Sequence, residues 1–184
     1  MKTLSMICMC TLMLGLTSSP AFALLSFKFD FNQDGTFENP QEVTIHESET
    51  IAVDIYLVDW PSERENIIAV DYFFQWHTDS LDVVSVTCNN LSPTGQWDLE
   101  YHDLINGTTW VLGMVNFVAG IPGPDVLLHT VTLQCTTAPS DDWIKATINP
   151  ELGVTDLTFN QYFDVADADW KGRSKSGEGG GLKV

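Results

Sequence analysis

Residues Ile67–Cys88 read IIAVDYFFQWHTDSLDVVSVTC, and their pattern decides the fold of the chain. Two runs rich in β-branched and aromatic residues flank a short polar corner at 77–80. In the first run, large apolar side chains recur at every second position, at Val70, Tyr72, Phe74 and Trp76. A period of two in such residues is typical of strands with one buried face. The stretch therefore predicts two β-strands joined by an acidic corner.

Similar runs recur along most of the chain, and turn signals such as Asp34-Gly35 and Asn149-Pro150 separate them. No segment has the periodicity of an amphipathic helix. Short strands at this spacing predict an all-β fold, an antiparallel two-sheet jelly-roll sandwich of about nine to ten strands. The strand-like runs are Ser26–Phe31, Glu42–His46, Thr50–Val58, Ile67–His77, Leu81–Cys88, Gln96–His102, Thr108–Val118, Val126–Cys135, Trp143–Ile148 and Leu157–Val165.

The N-terminus has the pattern of a secretory signal peptide. Lys2 supplies a positive charge, Leu4–Leu16 is an apolar run, and Ala21-Phe22-Ala23 matches a cleavage site. Cleavage after Ala23 predicts a secreted protein, extracellular or periplasmic, with a folded domain over 24–170. The Gly-rich segment 171–184 has almost no apolar residues, so we expect a disordered tail there.

The charge of the chain restricts its partners. The formal net charge is −17, from 25 acidic and 8 basic residues. Such a surface repels nucleic acid and anionic lipid, so neither is expected as a partner. No apolar stretch after the signal reaches the length of about 20 residues that a membrane span needs.

Two cysteines, Cys88 and Cys135, remain after the signal. An even number in an oxidising compartment predicts a disulfide between them. The alternative is a pair of buried free thiols. Each cysteine ends a strand-like run, and the C-terminal ends of two antiparallel neighbours lie at opposite ends of their ladder. The disulfide therefore requires another pairing of the strands.

A candidate calcium site lies near the start of the domain. Oxygen-bearing side chains follow the spacing of a calcium loop, with Gly35 at its sixth position. Calcium prefers six to eight oxygen ligands, and alternate residues of a tight loop converge on one centre. The alternative is a plain turn at 32–35 in which Asp-Gly supplies the positive φ. The predicted ligands are Asp30, Asn32, Asp34, Thr36 and Glu38.

A second candidate site consists of aromatic residues. Trp97, Tyr101 and Trp110 lie in polar or turn-flanked surroundings, and flat exposed rings can stack on sugars. They predict a carbohydrate-binding platform. The alternative is that these residues cap the core.

Catalytic motifs are missing from the sequence. The four histidines have no HExxH or HxH spacing, and no G-x-S-x-G elbow occurs. We therefore expect no enzyme activity.

The order of the strand-like runs resembles the cohesin domain of cellulosomal scaffold proteins and the related β-sandwich carbohydrate-binding modules. The resemblance rests on Glu49–Ile55, on Tyr72–Val86 and on the Gly-rich turn that opens Gly123–Leu133. Trp76-His77-Thr78 stands where the family usually has Tyr-Asp-Pro. The resemblance implies a nine-stranded jelly roll that binds a partner on one sheet face. That partner is a dockerin in cohesins and a polysaccharide in the sister modules.

The sequence thus predicts a secreted, non-catalytic binding or assembly module. The first hypothesis is recognition of a dockerin-like or other extracellular protein on one sheet face. The second is polysaccharide binding through exposed aromatic residues. A third is a structural role in a surface layer or matrix.

Overall fold

The computed structural model describes residues 25–37, 42–43, 45–61, 64–89, 97, 99–105, 107–116, 119–137, 141–158, 165–166, 168–173 and 182–183. Within these ranges the chain forms β-strands and no helix. The strands are β1 (Ser26–Asp30), β2 (Glu42–Val43), β3 (Thr50–Val58), β4 (Ile67–Trp76), β5 (Leu81–Cys88), β6 (Leu99–Ile105), β7 (Thr109–Val115), β8 (Val126–Cys135), β9 (Asp141–Ile148), β10 (Val154–Asp156), β11 (Ala168–Arg173) and β12 (Leu182–Lys183).

Two antiparallel sheets make the body of the domain. The small sheet has the order β1-β3-β8-β5, and the large sheet has the order β11-β9-β4-β7-β6, with β10 beside β4. The short strands β2 and β12 pair with each other. This arrangement confirms the predicted antiparallel sandwich of nine to ten strands.

The strands β4 and β5, which are neighbours in sequence, belong to different sheets. The corner at 77–80 carries the chain from one sheet to the other, and the amides of Ser80 and Leu81 donate to the His77 carbonyl. The Ser80 hydroxyl also donates to the carboxylate of Asp142 on β9. Asp142 and Ser80 are both 1% exposed, so a buried polar contact fixes the corner.

The core lies between the sheets and consists of alternate residues from both. Phe27 of the small sheet packs against Tyr72 of the large sheet with ring centroids 5.0 Å apart. The Tyr72 hydroxyl and His129 Nδ1, both buried, form a 2.9 Å hydrogen bond across the two sheets. Desolvation lowers the pKa of His129 to about 3, so this histidine is neutral and packs in the core.

The predicted disulfide between Cys88 and Cys135 is not formed, and both cysteines are buried thiols. Cys88 lies opposite His129 and Cys135 lies opposite Leu81, so the thiols are at opposite ends of the β5–β8 ladder. At ~3.4 Å per residue the cysteines are about 20 Å apart, whereas a disulfide needs Cα atoms within about 7 Å. Burial raises the pKa of Cys88 to about 12, which favours an unreactive thiol.

The end of the chain differs from the expectation at two strands, β11 and the short β12, which pairs with β2. The strand β11 continues to Arg173, pairing with Asp141 of β9, and so enters the segment predicted as a disordered tail from residue 171. The pairing of backbone groups with β9 holds these residues although their side chains are mostly polar. The predicted signal peptide, residues 1–23, lies outside the described ranges.

Candidate functional site

The outward side of the large sheet, called the large-sheet face below, is the candidate site. Its residues alternate along each strand with those that enter the core. Outward residues of strands β4, β7 and β6 lie opposite one another in four rows. Two of these rows also include a residue of β9. The rows, each written from β4 outward, are Ala69-Val115-Leu99, Asp71-Gly113-Tyr101, Phe73-Val111-Asp103 and Gln75-Thr109-Ile105, with Thr147 and Lys145 of β9 beside Phe73 and Gln75.

Apolar side chains occupy much of this face. Leu99 is 50% exposed and Ile105 is 41% exposed at the outer strand. Phe73 of β4 and Val111 of β7 are directly opposite each other and half-buried. The face is therefore a broad surface on which apolar groups meet water, a feature that marks interaction sites.

Gly113 allows the aromatic ring of Tyr101 to lie against the backbone of β7. A Cβ atom at position 113 would be 2.2 Å from two ring atoms of Tyr101, so no larger residue fits without moving the ring. A glycine inside a strand often marks such a close approach. Tyr101 is thus held on the large-sheet face.

The strand β4 also carries a buried carboxyl group at this face. Asp71 is 4% exposed, and its Oδ1 accepts a 2.5 Å hydrogen bond from the side chain of Asn149. The turn 149–153 is bonded to the same residue through its backbone, since Asp71 N donates to Gly153 O and Asn149 N donates to Asp71 O. Asp71 therefore anchors the turn that separates β9 from β10.

Burial raises the pKa of Asp71 to about 6, with the Glu151 charge adding to the effect and the Asn149 hydrogen bond opposing it. Because its pKa is raised in the folded state, the folded protein binds this proton more tightly than the unfolded chain. The contribution of Asp71 to stability is therefore largest below pH ~4 and is lost as the pH rises through about 6.

We expect Asp71→Asn to remove this pH dependence, because an amide does not ionise. Urea unfolding of the wild type and the variant at several pH values measures it. Between pH ~4.5 and ~7 the wild type should lose about 1–2 kcal/mol relative to Asp71→Asn. Asp103→Asn, an exposed substitution on the same face, is the control. Parallel pH profiles for the wild type and Asp71→Asn would contradict the expectation.

The outward side of the small sheet is more polar. It presents threonine, serine, glutamine and aspartate side chains, with few apolar groups among them. Tyr56 and Leu127, which are opposite each other on β3 and β8, are half-buried. The remaining outward residues include Lys28, Asp54, Asp82, Ser85, Thr87, Thr130, Thr132 and Gln134. The two faces of the sandwich therefore differ in chemistry.

In the predicted calcium loop, the aspartate carboxylates accept hydrogen bonds from backbone and side-chain groups of the loop itself. The two carboxylate oxygens of Asp30 accept hydrogen bonds from Gln33 N at 2.8 Å and Gly35 N at 2.7 Å. Asp34 accepts from the amide and hydroxyl of Thr36 and from the side chain of Asn32, and the Thr36 bonds lower its pKa. These N–H and O–H donors stabilise the turn.

Glu38, the last predicted calcium ligand, lies outside the described ranges. Among the residues that the structure describes, no group of three or more His, Cys, Asp or Glu side chains could hold a metal ion. The bonding of Asp30 and Asp34 favours the plain turn, and calcium binding stays a prediction.

The predicted sugar platform is not assembled. Trp97 is 6% exposed and belongs to the core, so its face is not available for stacking. Trp110 points to the inner side of β7, packs against the core and contacts His102 with ring centroids 5.2 Å apart. Tyr101 alone lies on the large-sheet face. The polar neighbours of Trp97 in sequence suggested exposure, but tertiary packing buries its ring.

The roles of Asp71 and Gly113 on this face were not predicted from the sequence. A usable signal was present, because Asp71 and Gly113 interrupt otherwise apolar strands. Polar or glycine residues in such strands need a partner or a close approach.

No family model and no curated protein matches the sequence. Solved structures do match the fold. A cohesin module from a family 33 glycoside hydrolase of Clostridium perfringens is 10% identical, with 80% of this chain and 94% of that chain covered and a TM-score of 0.58. A cohesin from a type I cohesin–dockerin complex of Clostridium thermocellum is 11% identical, with 80% and 97% covered and a TM-score of 0.58.

A non-cellulosomal cohesin from the hyperthermophilic archaeon Archaeoglobus fulgidus is 15% identical, with 81% of this chain and 91% of that chain covered and a TM-score of 0.53. The chain therefore has a cohesin-like fold, which confirms the resemblance predicted from its strand order. In the described part of the chain, no helix has the length and apolarity to cross a membrane.

Proposed function

We propose that this domain is a secreted, non-catalytic module that recognises a partner protein through the large-sheet face. The observation that carries the proposal is the apolar character of that face, where Phe73, Val111, Leu99 and Ile105 meet water. The small sheet presents mainly polar groups instead. Apolar patches of this kind on a rigid sheet suit recognition of a folded partner.

The partner class follows from the fold likeness and the charge. The matched structures include a type I cohesin–dockerin complex from Clostridium thermocellum and a scaffoldin cohesin from Acetivibrio cellulolyticus in complex with a dockerin. A dockerin-like module is therefore the first partner to consider, and another extracellular protein is the second. With a net charge of −17, the domain favours a partner with basic residues around an apolar contact.

A capture experiment with matched variants tests the proposal. The mature domain serves as bait in the secretome of the host organism, and captured proteins are identified by mass spectrometry and then titrated individually. Phe73→Ser combined with Val111→Ser should weaken binding at least about tenfold, because both half-buried apolar side chains face the partner.

Tyr56→Ser combined with Leu127→Ser is the control. These two residues are also opposite each other and half-buried, but they lie on the small sheet. Their replacement should leave binding unchanged. An empty bait lane, or equal binding by the large-sheet variant, would mean that this face does not carry recognition.

A further inference from the structure

The strand β6 forms an edge of the large sheet. All seven of its residues pair with β7, without a register shift. Among the described residues, no strand pairs with the other side of β6. The backbone N–H and C=O groups on that side are thus available to another chain.

Two other edges of the sandwich, at β1 and β5, are treated differently. At β1, the amide of Phe27 donates to Ala166 O and the amide of Ala166 donates to Leu25 O, so a bridge covers the edge. At β5, a register shift between Val83 and Ser85 disturbs the ladder. Covering and bulging are two ways in which proteins prevent unwanted pairing. The strand β6 has neither of them.

The side chains of β6 are also unusually open. Six of its seven residues are exposed, and Tyr101 is half-buried. Leu99, Leu104 and Ile105 are 50%, 43% and 41% exposed. The strand LEYHDLI contains no proline or lysine, the residues that commonly protect an edge. A regular, apolar and uncovered edge is the template for strand addition.

The charges of β6 indicate which strand it would accept. Glu100 and Asp103 are exposed, and β5, β6 and β7 contain no lysine or arginine. A second copy of this chain would bring the same acidic strand and another net charge of −17. Like charges on neighbouring strands are destabilising, and basic residues opposite carboxylates are favourable.

We infer that β6 accepts an extended basic segment of a partner protein as an added antiparallel strand. Apolar residues of that segment lie opposite Leu99 and Ile105, and Lys or Arg residues lie opposite Glu100 and Asp103. Because Glu100 and Asp103 are three residues apart, they lie on opposite faces of the sheet, and the basic residues of the partner have the same spacing. This interaction uses the backbone of the sheet edge and shares Leu99 and Ile105 with the large-sheet face, whereas Phe73 and Val111 lie on strands away from that edge.

A labelled peptide, Val-Val-Lys-Thr-Val-Lys-Val, tests this inference because its lysines fall opposite Asp103 and Glu100 in an antiparallel register. Fluorescence anisotropy with the mature domain should show saturable binding that weakens as salt increases. Amide hydrogen exchange should show new protection on β6. The same peptide with both lysines replaced by glutamate, or with alternate amides methylated, should bind at least about tenfold more weakly.

Domain variants locate the contact. Leu99→Lys with Ile105→Lys should weaken binding about tenfold or more, since lysines on an edge oppose pairing. Val84→Lys is the control, because Val84 is an apolar residue of the other edge strand β5 and is 56% exposed. Phe73→Ser with Val111→Ser should leave peptide binding unchanged, so failure of the large-sheet face and failure of the edge are distinguishable.

Three results would overturn the inference. The first is no binding of the lysine peptide, and the second is equal binding of the glutamate peptide. The third is sedimentation of the domain as a dimer that Leu99→Lys with Ile105→Lys disrupts, because the occupant of the edge is then a second copy of this chain.

Discussion

Phe74→Ala is expected to lower the free energy of unfolding by about 3–5 kcal/mol. Phe74 is fully buried on the inner side of β4. Its ring meets Phe29 of the small sheet edge-to-face with centroids 6.4 Å apart, and it stacks near Trp76 at 6.1 Å. Removal of the ring leaves a cavity where the two sheets meet, and the rigid strands around it cannot collapse to fill the space.

Chemical denaturation of the domain measures this loss, and the melting temperature should fall by about 10 °C. Phe73→Ala is the matched control, because the neighbouring ring lies on the large-sheet face and is half-buried. It should cost much less stability than Phe74→Ala. Equal losses for the two variants would contradict the assignment of inner and outer sides on β4.

Asp142→Ala is expected to destabilise the domain by about 3 kcal/mol, because it removes a buried charged group from a polar cluster. The carboxylate of Asp142 accepts the hydrogen bond of the Ser80 hydroxyl, and its Oδ1 is 3.6 Å from His77 Nδ1. Ser80 is 1% exposed, and without the carboxylate its hydroxyl is left with His77 Nδ1, 3.0 Å away, as a partner. The corner that carries the chain between the sheets loses its anchor on β9.

Asp79→Ala provides the comparison for this cluster. The Asp79 carboxylate lies 3.8 Å from His77 Nε2, but its side chain is 91% exposed. An exposed pair of this kind contributes little, so its loss should change stability by less than about 1 kcal/mol. Urea unfolding of both variants at neutral pH makes the comparison. A similar small effect for Asp142→Ala would mean that the corner does not depend on this contact.

Alternation in the sequence predicted the strands well where one face is buried. The predicted bounds of Thr50–Val58, Leu81–Cys88 and Val126–Cys135 agree with β3, β5 and β8. Alternation could not predict that β4 and β5 belong to different sheets, because it is a local property and the partners of a strand are distant in sequence. The exposed strand β6 begins at Leu99, later than predicted, since a strand without a buried face has no clear period.

The candidate site was less predictable than the fold. The resemblance implied a binding face without indicating its residues. Asp71, Gly113 and Tyr101 come from three strands, and only the register brings them into one row. The aromatic platform could not be judged from the sequence for a similar reason. The burial of Trp97 depends on packing with distant strands.

The chain passes several times between the two sheets, and this has a consequence for its synthesis. Among the described strands, β5 pairs with β8 alone, so the ladder that begins at Leu81 cannot form until Cys135 has been made. The strand β4 likewise lies between β7 and β9. Folds dominated by such distant pairings form slowly. A chain that emerges from N- to C-terminus therefore cannot complete the small sheet before Cys135 has been made, or the large sheet before Arg173 has been made.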